Sequence, residues 1–275
     1  MQHLKEMEKL IRKLSHRHHT YQVFSDFVEM AACSISNAVD PRHYEEREKR
    51  YMDIVRKYDK EEVEVFPKLL GHLTMALEEG FDDVLGKLYG TLEIHSKQAG
   101  QFFTPYEVSR MMAKMTLADN QAKAIIEERG FIRASEPACG AGGMIIALAQ
   151  ALMDEGVNYQ QHLHVTAVDV DLTAALMAYV QLSLLHIPAV VVHGDTLRME
   201  EFSHWYTPVH VMGLWDYKLK REDRAPEKEA QDSSAEQVPA EEKPTPQVTE
   251  AEAEERVVPP HREKVEGEKR QLSLF

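Results

Sequence analysis

The sequence predicts an α/β fold with a mainly parallel sheet, preceded by a helical region and followed by a disordered tail. Apolar residues recur at helical spacing through the first hundred positions. The middle of the chain alternates short apolar runs with helical stretches, which is typical of βα units. From Lys218 onward Glu, Pro, Ala and Lys dominate, and this segment has too few apolar residues to bury a core. We therefore expect domains at residues 1–97 and 98–217, with a tail at 218–275.

Composition excludes several classes of protein. The 275 residues carry a net charge of −14 and two cysteines, Cys33 and Cys139, too few for a disulfide framework. No apolar run approaches the ~20 residues of a membrane span, so we expect a cytoplasmic protein outside the membrane. Acidity argues against tight DNA binding, because phosphate contacts need clustered Lys and Arg.

In residues 1–97 the apolar pattern predicts four or five helices, with breaks near Pro41 and Gly80. Asp40 followed by Pro41 is typical of a helix N-cap and the first helical position. His16, His18 and His19 have no carboxylate or thiol at metal-ligand spacing. We predict a solvated loop there and no metal site.

The segment Gly100–Glu107 predicts the start of a helix. Thr104 suits an N-cap, Pro105 the first helical position, and Glu107, three residues after Thr104, would complete a capping box. Taken alone, this pattern indicates a well-started amphipathic helix.

Four strands are predicted in the middle region. They are Ala134–Pro137, His164–Val168, Ala189–Val192 and Val209–Met212, with helices at about 143–154 and 172–186 between them. A glycine-rich loop, Pro137–Gly143, lies between the first strand and helix. Its glycines permit positive φ angles and close approach of a ligand to the N–H groups of the next helix, although a tight turn needs no ligand. Within the loop, Cys139 is either a nucleophile or, as we prefer, a small packing side chain.

Acidic residues follow the next two strands. Asp169 comes about 30 residues after the glycine loop, where acids bind ribose hydroxyls in nucleotide-binding α/β folds. Asp171 suits the N-cap of the following helix. Asp195 would lie at the same sheet edge and could accept a hydrogen bond from an adenine amino group, or simply cap a turn.

These three sheet-edge sites in this order resemble the S-adenosylmethionine domain of adenine-N6 DNA methyltransferases, particularly the modification subunits of type I restriction systems. The resemblance covers about residues 98–200 and implies a Rossmann-like methyltransferase core, S-adenosylmethionine as cofactor and DNA as substrate. It implies that Asp169 binds the ribose and Asp195 the adenine. The remaining cofactor-binding residues that it implies are Phe103, Thr104, Pro105, Pro137, Ala138, Cys139, Gly140 and Gly142.

The chain departs from the family at the base pocket. The family carries Asn-Pro-Pro and an aromatic residue after the fourth strand to hold the flipped adenine, and this sequence contains no Asn-Pro-Pro. The weak catalytic candidates at that place are Trp215, Asp216 and Tyr217, which could equally be core residues. Three hypotheses stay open: a methyltransferase with an unusual pocket, an inactive methyltransferase-fold adaptor, or a chain completed by a separate specificity or catalytic subunit.

The last five residues, Gln271–Phe275, resemble the pentapeptide with which bacterial replication proteins bind the sliding clamp. Leu272, Leu274 and Phe275 would fill an apolar cleft while Gln271 hydrogen-bonds at its rim. A disordered tail of this length has a reach on the order of 40 Å. We therefore expect a clamp-tethered protein, associated with the nucleoid when the clamp is bound.

Overall fold

The computed structural model describes residues 2–92, 103–117, 121–223 and 272–273. The first six helices are α1 (Gln2–Leu14), α2 (Thr20–Asn37), α3 (Tyr44–Val55), α4 (Lys60–Val63), α5 (Val65–Glu78) and α6 (Val84–Thr91). The next elements are α7 (Tyr106–Thr116), α8 (Gln121–Arg129), β1 (Ile132–Glu136), α9 (Gly143–Asp154), α10 (Tyr159–His162), β2 (Leu163–Asp169) and α11 (Leu172–Leu184). The last are β3 (Ala189–Asp195), β4 (Glu200–Tyr206), α12 (Pro208–Met212) and β5 (Leu272–Ser273), and residues 215–223 are also helical.

The sheet has the strand order β4-β3-β2-β1-β5. β1, β2 and β3 are parallel neighbours, β4 returns antiparallel to β3, and β5 adds in parallel to Ala134 and Ser135 of β1. Every second residue of β1 is buried, as expected for a strand with one face in the core. The predicted α/β class with a mainly parallel sheet is confirmed.

The helical region and the sheet share one hydrophobic core. α2 buries Phe24, Phe27 and neighbouring apolar residues and packs on α11, which lies against β2 and β3. The described residues up to 218, together with 272–273, form one compact unit, and residues 219–223 belong to a second unit. The domain boundaries predicted at residues 97 and 217 stay predictions. Residues 224–271 of the predicted tail lie outside the described residues.

Arg47 ties the first helices to β4. Its guanidinium donates to Asp40 Oδ2 (3.1 Å), to Ser36 Oγ and to the carbonyl oxygen of His204 (2.7 Å). It also lies 4.0 Å from the ring centroid of Trp205. The predicted cap at Asp40 is wrong: α3 begins only at Tyr44, because the Asp40 carboxylate pairs with Arg47 and its neighbours instead.

One other local prediction, the fourth strand, is also wrong. Val209–Met212 is not a strand: Thr207 is the N-cap and Pro208 the first residue of α12. The fourth strand is Glu200–Tyr206, whose only buried side chain is Trp205. Because it lies at the edge of the sheet, β4 lacks the apolar alternation that would have predicted it. Across the described residues, no helix is long and apolar enough to cross a membrane.

Candidate functional site

The predicted site residues meet at one edge of the sheet. β1, β2 and β3 are parallel and adjacent, so their carboxyl ends lie side by side. The glycine-rich loop follows β1, Asp169 ends β2 and Asp195 ends β3. The sequence therefore correctly predicts that these three segments come together.

The loop needs glycine at two positions. Gly140 and Gly142 have φ angles of 53° and 89°, in the left-handed region that other residues avoid. A Cβ atom on Gly140 would also lie 2.9 Å from the ring of Phe103. Gly142 is the N-cap of α9 and offers no side chain to its first turn, so the helix N-terminus remains available to an anionic group.

A cavity of about 80 Å³ lies against this loop. Its lining includes Phe103, Thr104, Glu136, Ala138, Cys139 and Gly140. A second cavity of about 240 Å³ shares Asp83, Phe103 and Thr104 with the first and extends along Pro105–Glu107. The segment at Phe103 thus borders both spaces. The predicted capping box is wrong, since Pro105 is the N-cap of α7 and no side chain caps that helix.

Glu136 is a site residue that the sequence analysis missed. Its side chain is buried, and Oε1 accepts a 3.2 Å hydrogen bond from the Ala138 amide. Oε2 is buried and has no hydrogen-bond partner among the described residues. Burial, and to a lesser degree the charge of Asp169, raises the pKa of Glu136 to about 7. The alternation of β1 could have indicated the burial of Glu136, because it places Glu136 on the same face as Ile132 and Ala134.

Asp83 is a second missed acid. It caps α6 through the Gly86 amide, and Oδ1 also accepts a 2.9 Å hydrogen bond from Gln181 Nε2. The same amide nitrogen of Gln181 donates to the carbonyl oxygen of Ala141 in the loop (2.8 Å), so one buried side chain links α6, the loop and α11. Burial raises the pKa of Asp83.

The acids predicted for cofactor binding are held by backbone amides. Asp169 Oδ2 accepts from the Gly140 amide (2.8 Å) and Oδ1 from that of Asp171 (2.9 Å). Burial raises the pKa of Asp169. Asp195 Oδ1 accepts hydrogen bonds from the amides of Leu197 and Arg198. Asp195 therefore caps a turn, which was the alternative to an adenine contact.

Two further side chains at this edge were singled out by the sequence, Asp171 and Cys139. Asp171 caps α11 through the Ala174 amide, as predicted. Cys139 is buried, and burial raises the pKa of its thiol well above the usual value. A protonated thiol in this position packs as a small side chain and is a poor nucleophile.

The expected base pocket does not form at the glycine loop. Trp215 is fully buried and packs edge-on against Phe131 and beside His164, which lie at the amino ends of β1 and β2. Asp216 Oδ1 lies 3.1 Å from His210 Nε2, and Tyr217 is exposed. Trp215 thus packs as a core residue, the alternative given for it, and lies at the opposite end of the strands from the loop.

Three residues of the predicted clamp peptide, Gln271, Leu274 and Phe275, lie outside the described residues. Leu272 and Ser273 are described only through their backbone pairing with β1.

Comparison with known proteins gives one family match. The family model described as N-6 DNA methylase matches residues 81–242, more than half of the chain. None of the curated proteins matches. Among solved structures, a candidate class I S-adenosylmethionine-dependent methyltransferase from Listeria monocytogenes matches at 15% identity and a TM-score of 0.40, over 71% of this chain. The chain spans about half, 54%, of that protein's length.

Proposed function

Since the chain belongs to the N-6 DNA methylase family, we propose that it binds S-adenosylmethionine at the glycine-rich loop and takes part in methylation of adenine N6 in DNA. S-adenosylmethionine is the cofactor that membership in this family implies. When bound, it supplies the methyl group that is transferred.

The observation that supports this proposal best is the unpartnered Oε2 atom of Glu136. A buried carboxylate oxygen without a donor is costly unless a ligand supplies one. The cofactor's methionine part carries an ammonium group and a sulfonium centre, both cationic, and its carboxylate suits the free amides at the start of α9. Glu136 would hold the ammonium group while α9 holds the carboxylate.

The other cofactor contacts follow the sheet edge. A carboxylate oxygen accepts more than one hydrogen bond, so Asp169 can bind ribose hydroxyls while keeping its bonds to Gly140 and Asp171. Asp195 would accept from the adenine amino group. A cofactor of this size needs several hundred Å³, more than the roughly 80 Å³ beside the loop. We therefore propose that Phe103 shifts to join the two cavities, after which Phe103, Thr104 and Pro105 contact the cofactor.

Methyl transfer needs a base pocket that we do not expect this chain to supply alone. The sequence has no Asn-Pro-Pro, and Trp215 is buried away from the loop. We propose that a separate subunit completes the pocket. The alternative is an inactive methyltransferase-fold adaptor, which the missing motif favours.

In both cases, Gln271–Phe275 would tether the protein to the sliding clamp and so supply proximity to DNA. Residues 101–217 include six basic and 13 acidic residues, so we do not expect this region to bind DNA tightly by itself.

Calorimetry with S-adenosylmethionine tests the cofactor site. We expect binding that Glu136→Gln weakens at least tenfold, whereas Glu127→Gln, an exposed control on α8, leaves it unchanged. Asp169→Ala should also weaken binding. If the folded protein gives no heat with the cofactor, the proposal fails.

Methyl incorporation into duplex DNA separates the two functional alternatives. The assay is run with the chain alone and with the proteins that co-purify with it. Transfer only in the presence of a second protein supports the two-subunit proposal, and no transfer in either sample supports the adaptor. Transfer by the chain alone would contradict both.

Deletion of Gln271–Phe275 tests the tether. We expect the full chain to retain the purified clamp on an affinity column and the shortened chain to lose it. A chain whose last five residues are scrambled is the matched control, and equal retention of the clamp by all three would refute the motif.

A further inference from the structure

A fully buried serine of α7 lines the cavity of about 80 Å³ beside the glycine-rich loop. Ser109 is 0% exposed and belongs to the same cavity wall as Glu136. On α7 the buried residues are Tyr106, Ser109 and Ala113, which lie at helical spacing on one face. This helix packs against α9. Ser109 therefore brings a hydroxyl group to a buried helix face next to the loop.

The hydroxyl of Ser109 has no hydrogen-bond partner among the described residues. On the same face, the Tyr106 hydroxyl donates to Gln150 Oε1 on α9 (2.8 Å). A serine or threonine within a helix can also donate to the carbonyl oxygen four residues earlier, as Thr74 and Thr116 do. Ser109 makes neither kind of bond. A buried hydroxyl without a partner costs free energy, which a ligand would offset.

A second oxygen atom at this cavity is also unpartnered. Glu136 Oε2 is buried and has no donor among the described residues. Since each atom lacks a partner, Ser109 Oγ and Glu136 Oε2 are not bonded to each other. One comes from α7 and the other from the end of β1, and both belong to the wall of one small cavity. A bound group with several donors could satisfy both oxygen atoms at once.

The charges around the cavity favour a cationic group. Glu136 and Asp83 are buried acids in its wall, and burial raises the pKa of each. The described residues that line the cavity include no lysine, arginine or histidine. A cation beside these carboxyl groups would favour their charged forms. An ammonium group has three N–H donors and no acceptor, so it suits a wall of oxygen atoms.

We propose that Ser109 Oγ accepts a hydrogen bond from the ammonium group of S-adenosylmethionine and holds that group against Glu136. This inference rests on the proposed function, because it adds a residue to the same cofactor site. In this segment, the cofactor contacts expected from the sequence end at Pro105. Ser109 gives α7 a direct part in binding the amino-acid end of the cofactor, whereas Asp169 and Asp195 serve the adenosine end.

Calorimetry with three ligands tests the inference on the full chain. S-adenosylmethionine and S-adenosylhomocysteine carry the amino-acid group, and methylthioadenosine lacks it. Ser109→Ala should weaken binding of the first two about tenfold, since one hydrogen bond to a charged group is lost, and leave methylthioadenosine unaffected. The matched control is Ser183→Ala, which removes a buried helical hydroxyl that does not line this cavity, and it should change none of the three affinities.

Urea denaturation of the ligand-free protein separates binding from folding. Ser109→Ala removes an unpaired buried hydroxyl and introduces the better helix former, so the urea midpoint should rise. A more stable protein that binds the cofactor more weakly is the result expected of a ligand-binding residue. A residue with only a structural role would not give this combination.

The outcomes distinguish this inference from the proposed cofactor site. If Glu136→Gln weakens binding of S-adenosylmethionine and Ser109→Ala does not, the role of Ser109 is refuted and the cofactor site stands. Equal losses for all three ligands, or a lower urea midpoint for Ser109→Ala, would indicate a structural role and overturn the inference. If the folded wild type binds none of the three ligands, the cofactor site and the role of Ser109 fail together.

Discussion

Replacing Gln181 by Met should destabilise the protein strongly and loosen the glycine-rich loop. Gln181 is fully buried, and its amide makes three hydrogen bonds, two to the start of α6 and one to the glycine-rich loop. Nε2 donates to Asp83 Oδ1 (2.9 Å) and to the Ala141 carbonyl (2.8 Å), and Oε1 accepts from the Leu85 amide (3.0 Å). Met has a similar volume but can form none of these bonds.

The expected loss follows from those three bonds. A hydrogen bond between neutral groups contributes about 1 kcal/mol and one to a charged group about 1.5–3 kcal/mol, and partners left buried and unpaired keep their full cost. The free energy of unfolding should fall by about 4 kcal/mol, a large part of the ~5–15 kcal/mol available to a domain.

Urea denaturation followed by circular dichroism measures this loss. The exposed Gln161→Met on α10 is the matched control and should change the free energy of unfolding by less than about 0.5 kcal/mol. We also expect weaker binding of S-adenosylmethionine, because Ala141 belongs to the loop. A loss below about 1 kcal/mol for Gln181→Met would refute the reasoning, since it would mean that the three bonds add little to stability.

Three further predictions concern other parts of the fold. Because burial raises the pKa of Glu136 from 4.5 to about 7, its ionisation opposes folding as the pH rises through that window. Relative to Glu136→Gln, the wild type should lose about 3 kcal/mol between pH 4.5 and 8 in urea denaturation, and parallel pH curves would contradict this. In the same assay, Arg47→Met should lower the free energy of unfolding by about 3–5 kcal/mol, and the exposed Arg56→Met by less than about 0.5 kcal/mol. Similar losses in the two variants would show that the burial of Arg47 is unimportant. Gly142→Ala and Gly156→Ala both place a side chain at positive φ, but only at Gly142 does the new Cβ approach another residue, at 3.3 Å. We expect about 1 kcal/mol of strain in each and about 1 kcal/mol more for Gly142→Ala, whereas equal melting temperatures would argue against the contact.

The sequence predicts those strands, turns and helix caps that depend on residues close together in the chain. The predicted strands near β1, β2 and β3 and the cap at Asp171 agree with the structure, because each depends on apolar runs or on a side chain bonding three residues ahead. The glycine-rich loop is predicted for the same reason.

The remaining features depend on distant contacts. β4 is a strand because it pairs with β3, although its own residues are mostly polar. Glu136 was overlooked because its burial depends on what packs over β1. The importance of Asp83 depends on Gln181, 98 residues away. Trp215 fits either a pocket or a core by sequence, and only its neighbours Phe131 and His164 decide for the core.

The bond from Arg47 to the carbonyl of His204 joins residues 157 positions apart, and α2 needs α11 to cover its apolar face. During synthesis, at ~5–20 residues per second, the first helices therefore wait on the order of ten seconds for their packing partner. In that interval, the nascent chain exposes the aromatic residues of α2. Folding of this protein should thus depend on chaperones that bind the growing chain more than its modest size suggests.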